Sequence, residues 1–275
     1  MGQAKFDYHR YRVPETGAFG LASIQSDDDQ GLKEDYARKR LQKNLDDLQE
    51  FQERLYAESR QSVLLVLQAM DTGGKDSTIR KIANDLNPQG CQVTGFKAPS
   101  HEELSHDFLW RVHDHAPPAG HIGIFNRSHY EDVLIVRVHE LADTALIERR
   151  YRHINDFERM LHDHRTRIIK IMLHISKDYQ LSRLRRRLER PDKHWKFNPS
   201  DLKERNRWDE YMDAYEMMLN HCSTEHAPWY VIPAEKRWFR NVVISEILID
   251  AFENMDPQYP PPEFNIDDYP PDSLV

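Results

Sequence analysis

Residues 63 to 78 constrain the fold more than any other stretch of the chain. Val63, Leu64, Leu65, Val66 and Leu67 form a continuous apolar run, too short for a helix and suited to a strand buried on both faces. The turn Ala69-Met70-Asp71-Thr72-Gly73-Gly74-Lys75-Asp76 follows at once. Helical spacing then resumes through Ile79, Ile82, Ala83 and Leu86 until Asn87-Pro88-Gln89-Gly90 stops it. A buried strand, a glycine loop and a helix in that order predict a phosphate-binding P-loop. Glycines let backbone N–H groups turn inward around phosphate oxygens, the helix N-terminus adds positive potential, and Lys75 reaches a phosphate as a point charge. Thr72, Gly73, Gly74, Asp76 and Ser77 complete the predicted cradle. Two positions depart from the usual G-x-x-x-x-G-K-S/T pattern: Ala69 replaces the first glycine, and Asp76 stands where a magnesium-binding hydroxyl belongs. Gly-Gly-Lys in a loop is commonly just a turn and a helix cap; the preceding strand is what favours phosphate. Asp71 would repel phosphates unless it holds Mg²⁺ or takes a proton from an acceptor oxygen. Its plain alternative is an Asx turn.

The pattern repeats along the chain. Leu41, Leu45, Leu48, Phe51 and Leu55 mark an amphipathic helix within 31–58. Strands are predicted at 92–96, 121–125, 167–175 and 229–232, and helices at 102–113, 144–164 and 238–252. Alternation of this kind implies a parallel sheet of five strands with helices on both faces. The expected organisation is an N-terminal arm and helix over 1–58, a core over 59–255, and a proline-rich acidic tail over 256–275.

Lys and Arg number 38 against 46 Asp and Glu, a net charge of -8, so a generally basic nucleic-acid coat is excluded and a polyanion must meet a local basic patch. That patch is 178–219, with Arg183, Arg187, Lys193 and Lys196 among its cations. Arg185, Arg186 and Arg190 read better as a solvated helix face. Cys91 and Cys222 lie outside any metal or disulfide spacing, and no apolar run resembles an export signal or a membrane span, so the expected setting is cytoplasmic, without membrane or nucleic-acid partners. The histidines between 101 and 121 lack the spacing of a zinc site, and Trp195 beside Lys196 could stack near a base.

A second polar cluster, Asn126-Arg127-Ser128-His129-Tyr130-Glu131-Asp132, follows the apolar strand 121–125, and ligands sit at such carboxyl ends. Asn126 occupies the place of a metal or water ligand, and Arg127 is available to neutralise phosphoryl charge. A lone arginine there would more often be a surface ion pair; the glycine loop favours function.

The segments AMDTGGKD, FNRSHYEDV, RPDKHWKFNPSDLKER and APWYVIPA resemble the polyphosphate kinase 2 family over roughly residues 30 to 255. That resemblance implies a three-layer α/β/α P-loop kinase fold of thymidylate-kinase type with a helical lid at about 178–219. It also implies phosphoryl transfer between inorganic polyphosphate and nucleotides with Mg²⁺, or Mn²⁺ in its place, in a homodimer or homotetramer. By the same resemblance Asp71 binds metal and activates the acceptor, and Lys75 is the P-loop lysine. Arg127 is the motif arginine, and Arg183, Arg187, Lys193 and Lys196 are the lid's cations. Asn126 stands where many members have Asp, which puts direct metal ligation there in question. Tyr130-Glu131 matches the branch that phosphorylates AMP as well as ADP, with Glu131 as a second metal-site residue; guanine nucleotides are further expected acceptors. Two readings compete: an ATP-dependent nucleoside monophosphate kinase, and a non-catalytic polyanion-binding module.

Overall fold

The computed structural model describes residues 6–270; residues 1–5 of the expected arm and 271–275 of the expected tail lie outside the described residues. Two short 3₁₀ turns, His9–Tyr11 and Leu21–Ser23, lead to helix α1, Glu34–Glu58. Glu34 and Asp35 favour its positive end, and its apolar stripe of Leu41, Leu45, Leu48 and Leu55 is buried. Strand β1, Ser62–Gln68, is buried at every position, and the P-loop connects it to α2, Lys75–Ala83. Then come β2, Cys91–Gly95, and two short helices, α3, His101–Ser105, and α4, Trp110–His113.

The single helix expected over 102–113 is therefore broken. His106 is extended, and the Asp107 carboxylate accepts the Leu109 N–H at 3.0 Å, so a local side-chain bond starts a new turn and competes with the helix.

Strand β3, Ile122–Asn126, leads through the turn His129–Asp132 to α5, Ile135–Val138, and α6, Thr144–Asp163. Strand β4, Thr166–His174, is followed by α7, Lys177–Glu189, a 3₁₀ segment Pro191–Lys196, α8, Ser200–Asn206, and α9, Trp208–Cys222. Strand β5, Trp229–Pro233, and α10, Arg237–Met255, complete the core. Beyond Pro257 the described tail is exposed, with one 3₁₀ turn at Ile266–Asp268.

All five strands are parallel, in the order β2-β3-β1-β4-β5. The predicted α/β class and sheet stand: β1, β3, β4 and β5 are short apolar runs buried on both faces, and the more polar β2 closes the sheet as an exposed edge. Helix α1 packs on α10 through a Phe51–Phe252 stack and through Arg40, which grips Glu246 at 2.5 and 2.9 Å. Strand β1 is central. β3 and β4 flank it on opposite sides, so the strand order reverses at β1, which opens a crevice at the carboxyl ends of the strands, above the P-loop. Helices α7 and α8 roof that crevice, while α9 turns Trp208, Ala214, Tyr215, Met218 and Leu219 into the core. Among the described residues no helix is long and apolar enough to cross a membrane.

Candidate active site

Register brings the two motifs together. Leu67 of β1 lies opposite Asn126 of β3, and the Arg127 N–H donates to Leu67 O at 3.0 Å, so the end of β3 stands one strand away from the P-loop. Within the loop, Thr72 has φ of 67° and Gly74 φ of 106°. Alternation into the left-handed region is the conformation that gathers successive N–H groups into an anion-binding hollow. Only glycine fits at residue 73, where a Cβ would come within 2.7 Å of Ala69 Cβ and 2.9 Å of Met70 O. Lys75 folds back over the loop and donates to Ala69 O at 2.6 Å. Burial, with the Arg127 charge adding to it, pushes its pKa down to about 8.

The carboxylates each have a cation. Asp71 accepts from Arg127 Nη2 at 2.7 Å, and its carbonyl accepts from Gln180 Nε2 of α7 at 3.2 Å. Asp76 accepts from Asn126 Nδ2 at 3.0 Å and from Lys196 Nζ at 3.1 Å. Burial works against the Asp76 charge, but Lys196 and Asn126 outweigh it and hold the carboxyl below its usual range. Arg127 itself has φ of 64°, an uncommon state for a non-glycine residue that costs on the order of 1 kcal/mol and that its neighbours must hold. Glu131 lies 4.0 Å from Arg127 Nε; burial pushes its carboxyl up, Arg127 and Lys75 oppose this, and the Asp71 charge adds to it.

Behind this segment lies a fully buried polar network. Lys170 Nζ of β4 donates to Glu158 Oε2 of α6 at 2.5 Å, to Tyr130 Oη at 2.8 Å and to Cys222 O at 2.6 Å. Tyr130 donates to Glu158 Oε1 at 2.7 Å, and His129 Nε2 lies 3.3 Å from the same oxygen. The network ties the turn that carries Arg127 and Glu131 to two core elements.

Of the residues singled out in the sequence, Asp71 to Ser77, Asn126, Arg127, Arg183, Arg187, Lys193 and Lys196 share the wall of one cleft of about 580 Å³. Glu131 is outside that wall, beneath Arg127. Arg187 is partly committed to the lid itself, donating to Lys196 O and to Asp201 Oδ2, both at 2.9 Å. Trp195 is 77% exposed at the edge of the cleft, with Lys196 Nζ 4.9 Å from its ring centre. The solvated face expected of Arg185, Arg186 and Arg190 is only partly so: all three are exposed, but Arg186 and Arg190 also line the cleft. Lys97 at the end of β2 and Arg237 and Arg240 of α10 line it as well, and sequence reasoning passed over them. For the last two a signal existed: cations in the first turn of a helix oppose its dipole and need a reason to be there.

A shaped basic cleft above a P-loop, with one acid facing one arginine, suits phosphoryl transfer, which asks chiefly for alignment and charge neutralisation. Comparison with known proteins agrees. The family model described as Polyphosphate kinase 2 matches residues 31–260. A Meiothermus ruber protein named AMP/ADP-polyphosphate phosphotransferase is 49% identical over 256 residues, covering 92% of this chain and 96% of its own. An ADP-polyphosphate phosphotransferase of Rhodopseudomonas palustris is 45% identical over 80% of each chain. The crystal structure of polyphosphate kinase 2 from Arthrobacter aurescens superposes with a TM-score of 0.91 at 44% identity, covering 94% of this chain and 93% of that one. With the family model matched over residues 31–260 and relatives of 45–49% identity covering most of its length, the chain belongs to the polyphosphate kinase 2 family.

Proposed function

We propose that this polyphosphate-dependent nucleotide kinase passes the terminal phosphoryl group of inorganic polyphosphate to both AMP and ADP, reversibly, with guanine nucleotides as further acceptors. The observation that carries the reading is the Asp71–Arg127 pair at 2.7 Å, set at the mouth of a P-loop under an arginine-bearing lid. The loop from Thr72 to Ser77 and Lys75 hold the terminal phosphates of the donor. Asp71 orients the acceptor phosphate, which displaces it from Arg127. Arg127, freed, neutralises the equatorial oxygens as charge develops on them. The lid, resting on Asp76 through Lys196 and on the Asp71 carbonyl through Gln180, excludes water that would otherwise hydrolyse the donor.

Magnesium fits the donor set. Among the described residues no group of three or more His, Cys, Asp or Glu side chains could hold a metal by itself, but Mg²⁺ is bound by one or two carboxylates together with substrate phosphates. Asp71 in the cleft wall, with Glu131 beneath Arg127, would be the carboxylates that hold it. Bound there, Mg²⁺, or Mn²⁺ in its place, supplies charge neutralisation on the transferring group. We further assign the protein to the cytoplasm as a homodimer or homotetramer, which sedimentation would check.

The rival nucleotide-kinase and polyanion-module readings fall with family membership. The test of acceptor range is incubation with Mg²⁺, long-chain polyphosphate and AMP, ADP, GMP or GDP separately, with products resolved by chromatography. Conversion of AMP through ADP to ATP without added ATP is expected. Conversion of ADP alone would overturn the assignment of AMP as acceptor.

A further inference from the structure

The N-terminal arm ends on the root of the lid. Strands β4 and β5 are neighbours, with His174 opposite Pro233 at their carboxyl ends, so Ser176, the N-cap of α7, and Glu235, just past β5, leave the sheet side by side. Glu235 Oε1 accepts the Ser176 N–H at 2.9 Å and the Ser26 hydroxyl at 2.6 Å, and the Glu235 N–H donates to Ser26 O at 3.3 Å. One carboxylate oxygen thus joins the arm, the end of β5 and the start of the lid helix. Burial works against the Glu235 charge, but the hydrogen bonds from Ser26 and Ser176 outweigh it and hold the carboxyl below its usual range. A negative charge also suits the positive end of a helix. The arm is fastened again one residue on, where Lys236 Nζ donates to Asp29 Oδ2 at 2.5 Å.

What Glu235 holds reaches the catalytic loop within one helical turn. The Ser176 hydroxyl accepts the Tyr179 N–H at 3.1 Å, and its carbonyl accepts the Gln180 N–H at 3.0 Å. Gln180 is fully buried; its Nε2 donates to Asp71 O at 3.2 Å, and its Oε1 accepts from Arg205 Nη1 of α8 at 3.3 Å. We propose that Glu235 is a positioning residue: through the Ser176 cap it fixes how α7 leaves the sheet, and so the contact of Gln180 with Asp71, and through Ser26 it makes that setting depend on the arm. The proposal rests on the lid being the element that excludes water during transfer. Without the anchor the first turn of α7 frays, and water competes with the acceptor nucleotide. Water then attacks the terminal phosphorus of polyphosphate, the bridging P–O bond breaks with its electron pair leaving on the shortened chain, and orthophosphate and a proton are released.

The test compares wild type with Glu235→Ala, Glu235→Gln and Ser26→Ala. Tyr11→Phe is the control, since it removes another arm hydrogen bond, Tyr11 Oη to Asp28 Oδ2 at 2.6 Å, without touching Glu235. Orthophosphate release and ATP formation are measured together from long-chain polyphosphate and ADP. The ratio of hydrolysis to transfer is expected to rise about tenfold in Glu235→Ala, as the loss of a hydrogen bond to a charged group allows, and by a smaller factor in Ser26→Ala. Glu235→Gln keeps an accepting oxygen and stays near wild type, as does Tyr11→Phe. A ratio raised as much by Tyr11→Phe would overturn the positioning role, and Ser26→Ala matching wild type would overturn the dependence on the arm. Amide hydrogen exchange over residues 177–182 of the free protein reads the anchor without any donor, and should quicken about tenfold in Glu235→Ala but not in Glu235→Gln. Unchanged exchange in Glu235→Ala would overturn the anchor. Faster exchange with an unchanged ratio would keep the anchor and overturn the lid as the barrier to water.

Discussion

At the scale of single residues, the P-loop lysine is held away from its ordinary state. Lys75 has a folded pKa of about 8 against an ordinary 10.5, so in the free enzyme it carries its charge below pH 8 and loses it above. Because kcat/KM reports the free enzyme, its value for polyphosphate should fall as pH rises through about 8. Bound phosphate draws the lysine's pKa back up, so kcat should hold to higher pH. Pronounced separation of the two alkaline limbs in pH–rate profiles is the expected result. Lys75→Ala should lower kcat/KM by roughly a hundredfold or more. Asp71→Asn removes both the acceptor's carboxylate and the partner of Arg127, and should lower kcat by about a hundredfold or more. Turnover near wild type in Asp71→Asn would mean that Asp71 has another role.

At the scale of elements, the turn that carries Arg127 is held from behind. Lys170 of β4, Glu158 of α6 and Tyr130 are all fully buried, and the ion pair between the first two has no water to fall back on. Lys170→Met strands the Glu158 carboxylate and should cost about 3–5 kcal/mol, read as a lower urea midpoint, and Glu158→Leu in the same chain should recover most of it. The lid contrasts with this. Its Lys196–Asp76 contact joins side chains 26% and 61% exposed, and such a pair contributes about 0–1 kcal/mol. At this contact the lid is therefore fastened weakly. Helical periodicity explains what was and was not legible here. It recovered α1 and α6, ran α3 and α4 together because the Asp107 bond leaves no mark on spacing, and placed α10 at 238–252 without singling out Arg237 or Arg240 at its start.

At the scale of the whole molecule, a chain of net charge -8 presents a cleft lined by many cations. Attraction of a polyanion to that cleft is screened by salt while the rest of the surface repels it. KM for polyphosphate should therefore rise roughly tenfold or more over a fourfold increase in salt, far more than KM for ADP, in initial-rate measurements. The tail lies outside this division of labour: from Pro260 to Pro270 it is exposed, and its removal should change the free energy of unfolding by less than about 0.5 kcal/mol.

The chain's own order of residues determined the apolar strands β1, β3, β4 and β5 and the strand–loop–helix of the phosphate cradle, with Lys75, Asp71 and Arg127 as candidate residues, since burial periodicity and glycine conformations are local. Tertiary structure alone decided the rest. It placed β3 beside β1 so that Asn126 meets Leu67, it brought Lys196 onto Asp76 across 120 residues, and it set Ser26 of the arm on Glu235. The reason is that a charge is defined by its neighbours within a few ångströms, and those neighbours are set by packing rather than by position in the chain.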